Sequence, residues 1–230
     1  MQILSEFSTT DRIAALFFAL AWPAYSWLLT ASPWRDRSLS RAMDVQRRRW
    51  MLVMAGRNLR MVDTAILSGL QQGTAFFAST TILAIGGCFA MLGSEDAVMR
   101  LYRDLPFQTP VSQAVWDIKL LGLALIFAYS FFKFGWSYRL FNYCSIAVGA
   151  VPEATGEGAS DEHTAQAERA ASLNVLAGHH FNSGLRAIFV SIGYMGWFLG
   201  PIAFMVSTAL VLSVLIRRQF FSAARRAAAA

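Results

Sequence analysis

The chain has 230 residues, of which 56% are hydrophobic and 15% charged, with a formal net charge of +6. That excess of apolar over charged residues departs from the composition of a water-soluble domain. The apolar residues gather into runs that can cross a hydrocarbon core of roughly 30 Å, so the basic charge belongs to an integral membrane protein and not to a soluble nucleic-acid binder.

The first predicted span covers 11–31, "DRIAALFFALAWPAYSWLLTA", with Thr9 or Thr10 as its N-cap. Pro23 lies inside it, which a membrane helix tolerates when neighbours satisfy the freed carbonyl, and Pro33 ends it. Segment 35–60 follows and is arginine-rich, beginning "RDRSLSRAMDVQRRRW". Leu39, Met43, Trp50 and Met54 recur at helical spacing there. The segment reads as an amphipathic helix on the membrane surface, or as a helix continuing into the second span. Its arginine excess marks it as cytoplasmic.

The second span covers 64–92. Gln72, Ser79, Gly86 and Gly93 recur at heptad spacing along it, and Gly69 with Gly73 forms a GxxxG pair. Small residues on one face predict close approach of another helix, from the same chain or from another copy. Residues 94–110 are polar, contain Pro106 and Pro110, and form an exposed loop on the outer side. The third span covers 111–140. Its apolar run continues to Ala150, so a helix there outruns the membrane and must tilt, kink or project beyond it.

Residues 151–180 form a second cytoplasmic segment, an Ala-, Gly- and Glu-rich linker with a short helical stretch from Glu162 to Leu176. The fourth span covers 184–216. Gly196 and Gly200 make a second GxxxG pair in it, and Gly200-Pro201 marks a kink or a re-entrant break into two half-helices. With four spans the C-terminus lies outside, where Arg217, Arg218, Arg225 and Arg226 conflict with the positive-inside rule. The larger and more N-terminal cluster at 35–60 sets the orientation.

That orientation brings three polar helix ends to the cytoplasmic side: "GRNLRMVD", "KFGWSYRLFN" and "HHFNSGLR". They hold Arg57, Arg60, Lys133, Arg139 and Arg186 against Asp63, with Asn142 and Asn182 as hydrogen-bonding groups. One reading is an anion or lipid-headgroup site, because cations inside membrane helices mark sites or ion pathways. The other is structural: cations near helix ends snorkel to the headgroups, and Trp136 and Tyr138 suit the interface. Lys133 and Arg139 differ by about 240 degrees around a helix, so they cannot share a narrow face. One of the two, Lys133 or Arg139, is expected to point to the bundle interior or a subunit interface near Asn182 and Arg186; Arg139, with Asn142 on its face, is the one favoured, and Lys133 then reaches the headgroups. Arg60 and Asp63 are expected to pair along one helix.

Other chemistry is sparse. The two cysteines, Cys88 and Cys144, have no paired spacing, and His179 and His180 diverge on a helix. No metal site, cofactor or catalytic motif is expected, and the chain does not read as an enzyme.

The stretches "RMVDTAILSGLQQGTAFFASTTILAIGG", "FFKFGWSYRLFNYCSIAVGAVPE", "HHFNSGLRAIFVSIGYMGWFLGP" and "RRQFFSAA" resemble the domain-of-unknown-function 599 family over nearly the whole chain. The resemblance implies a bacterial multi-span membrane protein and carries no activity or site residue with it. The expectation is an all-α integral membrane helical bundle, one transmembrane domain over 1–230. It would have four long transmembrane helices and cytoplasmic helical extensions, and would sit in the inner membrane. The functional expectation is a homo-oligomeric channel or transporter that binds a small anionic solute at the cationic layer. The alternative is a non-transporting scaffold, accessory subunit or lipid-binding module. Expected partners are membrane lipids, further copies of the chain and an anionic solute, with no nucleic acid.

Overall fold

A computed structural model describes residues 6–92, 112–152 and 161–229. Among the described residues every regular element is helical: α1 (Thr9–Thr30), a 3-10 turn (Pro33–Arg37), α2 (Leu39–Ala55), α3 (Met61–Leu92), α4 (Gln113–Gly149), α5 (Asp161–Leu199), α6 (Pro201–Phe220) and α7 (Ala223–Ala229). Helices α1, α3, α4 and the stretch Pro201–Ala229 are long and apolar enough to cross a membrane. Their outward faces stay apolar, with Leu83 75%, Phe132 72% and Leu125 71% exposed. Water would penalise such faces, whereas lipid accepts them. The chain is an all-α membrane protein. Gly93, the expected outer loop 94–110 and the start of the expected linker (153–160) lie outside the described residues.

Ser8, and not Thr9 or Thr10, caps α1. Its hydroxyl oxygen accepts the Asp11 N–H at 3.0 Å and its O–H donates to the Asp11 carboxylate at 2.6 Å. The two threonines, one and two positions past the cap, are already the first helical residues. Pro23 stays inside an unbroken α1. Helix α2 starts at the Ser38 cap and stops at Gly56, so it is a helix separate from α3.

The chain divides into two compact units, and α3, α4, α5 and α6 contribute residues to both. The first unit comprises Met1–Arg35, Thr80–Ser130 and Leu185–Arg218. Its core includes Ala14, Cys88, Leu123, Ala187, Tyr194, Trp197 and Phe204. Trp197 and Phe204 stack with centroids 4.9 Å apart, and Tyr194 meets both edge-on. The second unit comprises Asp36–Ser79, Phe131–Gly184 and Gln219–Ala230. There Met51, Met54, Leu67, Phe141 and Cys144 pack against the small face of α5 at Ala167, Ala170, Ala171 and Ala177.

Two expectations change here. Helix α5 runs uninterrupted for 39 residues, so the short helix predicted in the linker and the start of the predicted fourth span are one element. It ends at Gly200, where φ is +132°, and the chain reverses into α6. The pair Gly200-Pro201 is therefore a hairpin turn and not a kink within one span. Ser207 Oγ donates to the Gly193 carbonyl at 2.6 Å, and Arg218 lies over the Phe189 ring at 5.7 Å. Partners on α6 move forward as partners on α5 move back, the signature of antiparallel packing. A left-handed φ suits glycine, and proline begins the next helix where its missing N–H costs nothing.

The heptad stripe on α3 also falls elsewhere. Gln72, Ser79 and Gly86 are exposed within the chain, and a Cβ at Gly86, Gly69 or Gly73 would meet nothing within 4 Å. Gln72 donates only to Ser68 of its own helix, at 3.2 Å. The buried seam is Leu67, Thr74, Thr81 and Cys88, which keeps the same spacing on another face. A heptad pattern of small residues fixes a period but not which face is buried. The second GxxxG pair does make a close contact: a Cβ at Gly196 would stand 2.1 Å from Ser207 Oγ.

Candidate functional site

The second unit holds the densest polar arrangement, built between α2, α3 and α5. On α2 the residues Asp44, Arg47, Arg48 and Met51 share one helical side, three to four positions apart. Asp44 is 5% exposed and meets His179 Nε2 of α5 at 2.8 Å. Arg47 donates to Asn174 Oδ1, and Arg48 pairs with Glu168 at 2.9 Å. Asn174, fully buried, passes a hydrogen bond on to Cys144 Sγ at 3.6 Å, and the thiol donates to the Ala170 carbonyl at 3.4 Å. A Cβ at Gly178 would lie 3.0 Å from the Arg47 guanidinium, so glycine is what lets that cation rest on the α5 backbone. Burial pulls the Arg47 pKa below its usual value, and the Asp44 carboxylate opposes the shift. His180, the neighbour on α5, is also held below the ordinary histidine value, by burial first, then by Lys133 and His179.

Asp63 opens α3 and is 0% exposed. Its Oδ1 accepts from the Trp50 indole at 2.7 Å and from Arg57 at 2.6 Å. Arg57, and not Arg60, is thus its partner. Residues 57–60 are non-helical, so the spacing that would pair Arg60 with Asp63 on a helix does not apply. Arg60 instead donates to the carbonyls of Val148, Val151 and Pro152, where α4 leaves its last acceptors open.

The remaining predicted site residues disperse. Asn142 accepts from Gln71 at 2.8 Å. Asn182 is half-buried and has no hydrogen-bond partner among the described residues. Lys133 is half-buried beside His180. Arg139, expected at the bundle interior or a subunit interface, is exposed within the chain and so does not point into its interior. Its Nε donates to the Tyr143 hydroxyl at 2.6 Å, and the guanidinium lies over Trp136 and Tyr143 at 5.9 and 5.5 Å. Aromatic neighbours one turn away on each side outcompete Asn142 for it. Arg186 belongs to the first unit, where Tyr25 and Tyr129 are its electrostatic neighbours.

The first unit carries its own buried charge. Lys119 is 3% exposed, donates to the Trp197 carbonyl at 3.0 Å and lies 5.4 Å from the Trp197 ring centroid. The Trp197 indole donates to Asp11 at 2.8 Å. Asp11 thus accepts from Ser8, the cap of α1, and anchors the end of α5 at once.

Sequence reasoning missed Asp44, Arg47, Asn174 and Lys119. For the first three the signal is the run Ala167, Ala170, Ala171, Asn174, Gly178 on α5, a small face with one polar member, as expected of a seam against a cation-bearing helix; for Lys119 it is a lone cation inside the apolar run of the third span. No three His, Cys, Asp or Glu side chains gather among the described residues.

A family model described as a protein of unknown function, DUF599, matches residues 13–224. The chain belongs to the DUF599 family. Comparison with curated proteins and with solved structures yields no match. The DUF599 match takes in the α2 arginines, the α5–α6 hairpin and the start of α7, whereas Asp11 precedes it.

Proposed function

We propose that this chain is a non-transporting, multi-pass module of the inner membrane that holds anionic lipid headgroups on an arginine platform. The observation that carries the reading is how the cations are used. Arg57 is neutralised by Asp63 and Arg60 is consumed by helix-end carbonyls. Arg49 and Arg226 are exposed, and Arg41 is exposed in a solvent-facing pair with Asp36 at 3.5 Å. The basic segments of α2 and α7 meet in the second unit. Ser40 Oγ reaches Gln219 at 3.2 Å, Gln46 reaches the Ala228 carbonyl at 3.3 Å, and Arg225 reaches the Arg37 carbonyl at 3.0 Å. By the positive-inside rule one such cluster faces the cytoplasm, with both arginine-rich segments on that side. The α5–α6 hairpin supports this, because a fifth pass along α5 returns the C-terminus inside. Anionic headgroups add about 1 kcal/mol per basic residue at the surface.

Thermal unfolding in phosphatidylcholine vesicles with and without phosphatidylglycerol tests the reading. The expected result is a higher midpoint with phosphatidylglycerol, reduced when Arg41, Arg49 and Arg226 are replaced by Gln. Equal midpoints in both lipids would overturn it.

The open small-residue face of α3 favours a second reading, a homo-oligomer with an anion path between copies. Its test is anion flux in proteoliposomes together with a mass above the monomer. Flux that stops in Gly86→Leu would favour this reading over the first.

A further inference from the structure

The hairpin of α5 and α6 leaves an apolar groove of about 180 Å³ lined by Phe189, Leu210, Val211, Val214 and Leu215, with Arg218 at one end. Arg218 sits in the last turn of α6 and is exposed. Its guanidinium lies over Phe189, 5.7 Å from the ring centroid, and it forms no ion pair among the described residues. From Leu210 to Arg218 the helix rises about 12 Å, so the groove runs along α6 for two turns below the cation. We infer that this groove seats one acyl chain of an anionic phospholipid, whose phosphate pairs with Arg218. The inference rests on the lipid-binding reading above and adds a defined site to it.

Three features favour a phospholipid over other occupants. The long stem of Arg218 lies along apolar surface and delivers its charge at the rim, as interfacial arginines do. Phe189 fixes that charge by a cation–π contact without neutralising it, which leaves the guanidinium donors available to phosphate oxygens. The lining is apolar, so it offers a free anion nothing beyond the one cation and offers a chain a seat beside its headgroup. Val214 and Leu210 are 54% and 62% exposed, so the groove opens to the lipid side of the hairpin.

The test uses the full chain in mild detergent, with native mass spectrometry reading bound lipid during titration with dioleoylphosphatidylglycerol, dioleoylphosphatidylcholine or glycerol 3-phosphate. Wild type is expected to bind phosphatidylglycerol in preference to phosphatidylcholine, and glycerol 3-phosphate not at all. Arg218→Gln should weaken phosphatidylglycerol about fivefold and leave phosphatidylcholine unchanged. Val214→Trp, which fills the groove, should weaken both lipids, while Arg217→Gln should match wild type. Wild-type affinities in both Arg218→Gln and Val214→Trp would overturn the site while leaving a general preference for anionic lipid standing. No preference in wild type would overturn the lipid reading itself. Glycerol 3-phosphate binding like the lipid, or Val214→Trp lowering the oligomer mass, would instead assign the groove to a free anion or a second copy.

Discussion

Ser207 Oγ donates to the Gly193 carbonyl across the α5–α6 turn, and that bond helps hold α6 antiparallel to α5. A straight fourth span would end opposite the arginine-rich α2, whereas a hairpin returns α7 to it. Cysteines placed at Ser222 and at Arg49 are therefore expected to resist a membrane-impermeant thiol reagent in intact cells and to react after permeabilisation. Labelling of Ser222→Cys from outside would restore the four-span topology.

Glycines on α3 and α5 give opposite expectations. At Gly196 a side chain would collide with Ser207 Oγ and with the Ala203 carbonyl, 2.8 Å away. Gly196→Leu is expected to cost about 1–3 kcal/mol as the hairpin is forced apart. Gly86→Leu should leave monomer stability unchanged, since nothing stands within 4 Å of it. Denaturation in detergent, read by circular dichroism, separates the two. Equal losses would mean that the α3 face is covered.

The Asp63 site predicts an asymmetry between partners. Replacing Arg57 with Gln leaves a buried carboxylate held only by Trp50, at a cost of about 3 kcal/mol. Replacing Asp63 with Asn keeps an acceptor for both donors and lets Arg57, 40% exposed, turn to solvent, so about 1 kcal/mol is expected. Unfolding of both variants, followed by Trp50 fluorescence, checks the order. A larger loss in Asp63→Asn would contradict it.

How much of this was legible in the sequence depends on what kind of force decides each feature. The helices follow from hydrophobic runs, which are local: the run at 64–92 falls within α3, while α4 continues past 140 to Gly149. Reversal at Gly200-Pro201 was visible as a break, but kink and turn share the same two residues. Only the contact of Gly196 with Ser207 and Ala203 separates them. The cationic layer misled because charge type and depth say nothing of azimuth. Arg139 is turned outward by Trp136 and Tyr143, and Arg60 is drawn to the carbonyls that end α4, a partner far away in sequence.

Stability should fall in mild acid through His180. Its pKa in the folded chain is below the ordinary 6.5, so the unfolded chain takes up the proton first. The contribution is complete above pH 6.5 and is lost as pH falls through the lower folded value. Thermal midpoints measured between about pH 8 and 5 should decline for wild type and decline less for His180→Gln. Identical pH profiles would place the acid sensitivity elsewhere.

The Gly200-Pro201 reversal also has a consequence for biogenesis. Helices α5 and α6 can enter the bilayer together as a closed loop, so only a two-residue tip has to travel to the far side, and no charged segment is translocated with it. A ribosome that has released α5 alone has exposed a helix whose Gly193 and Gly196 notches have no partner. If α5 is a fifth pass, as proposed above, insertion of α5 and α6 is committed only when α6 emerges, and a chain truncated at Leu199 would present those notches to quality-control proteases.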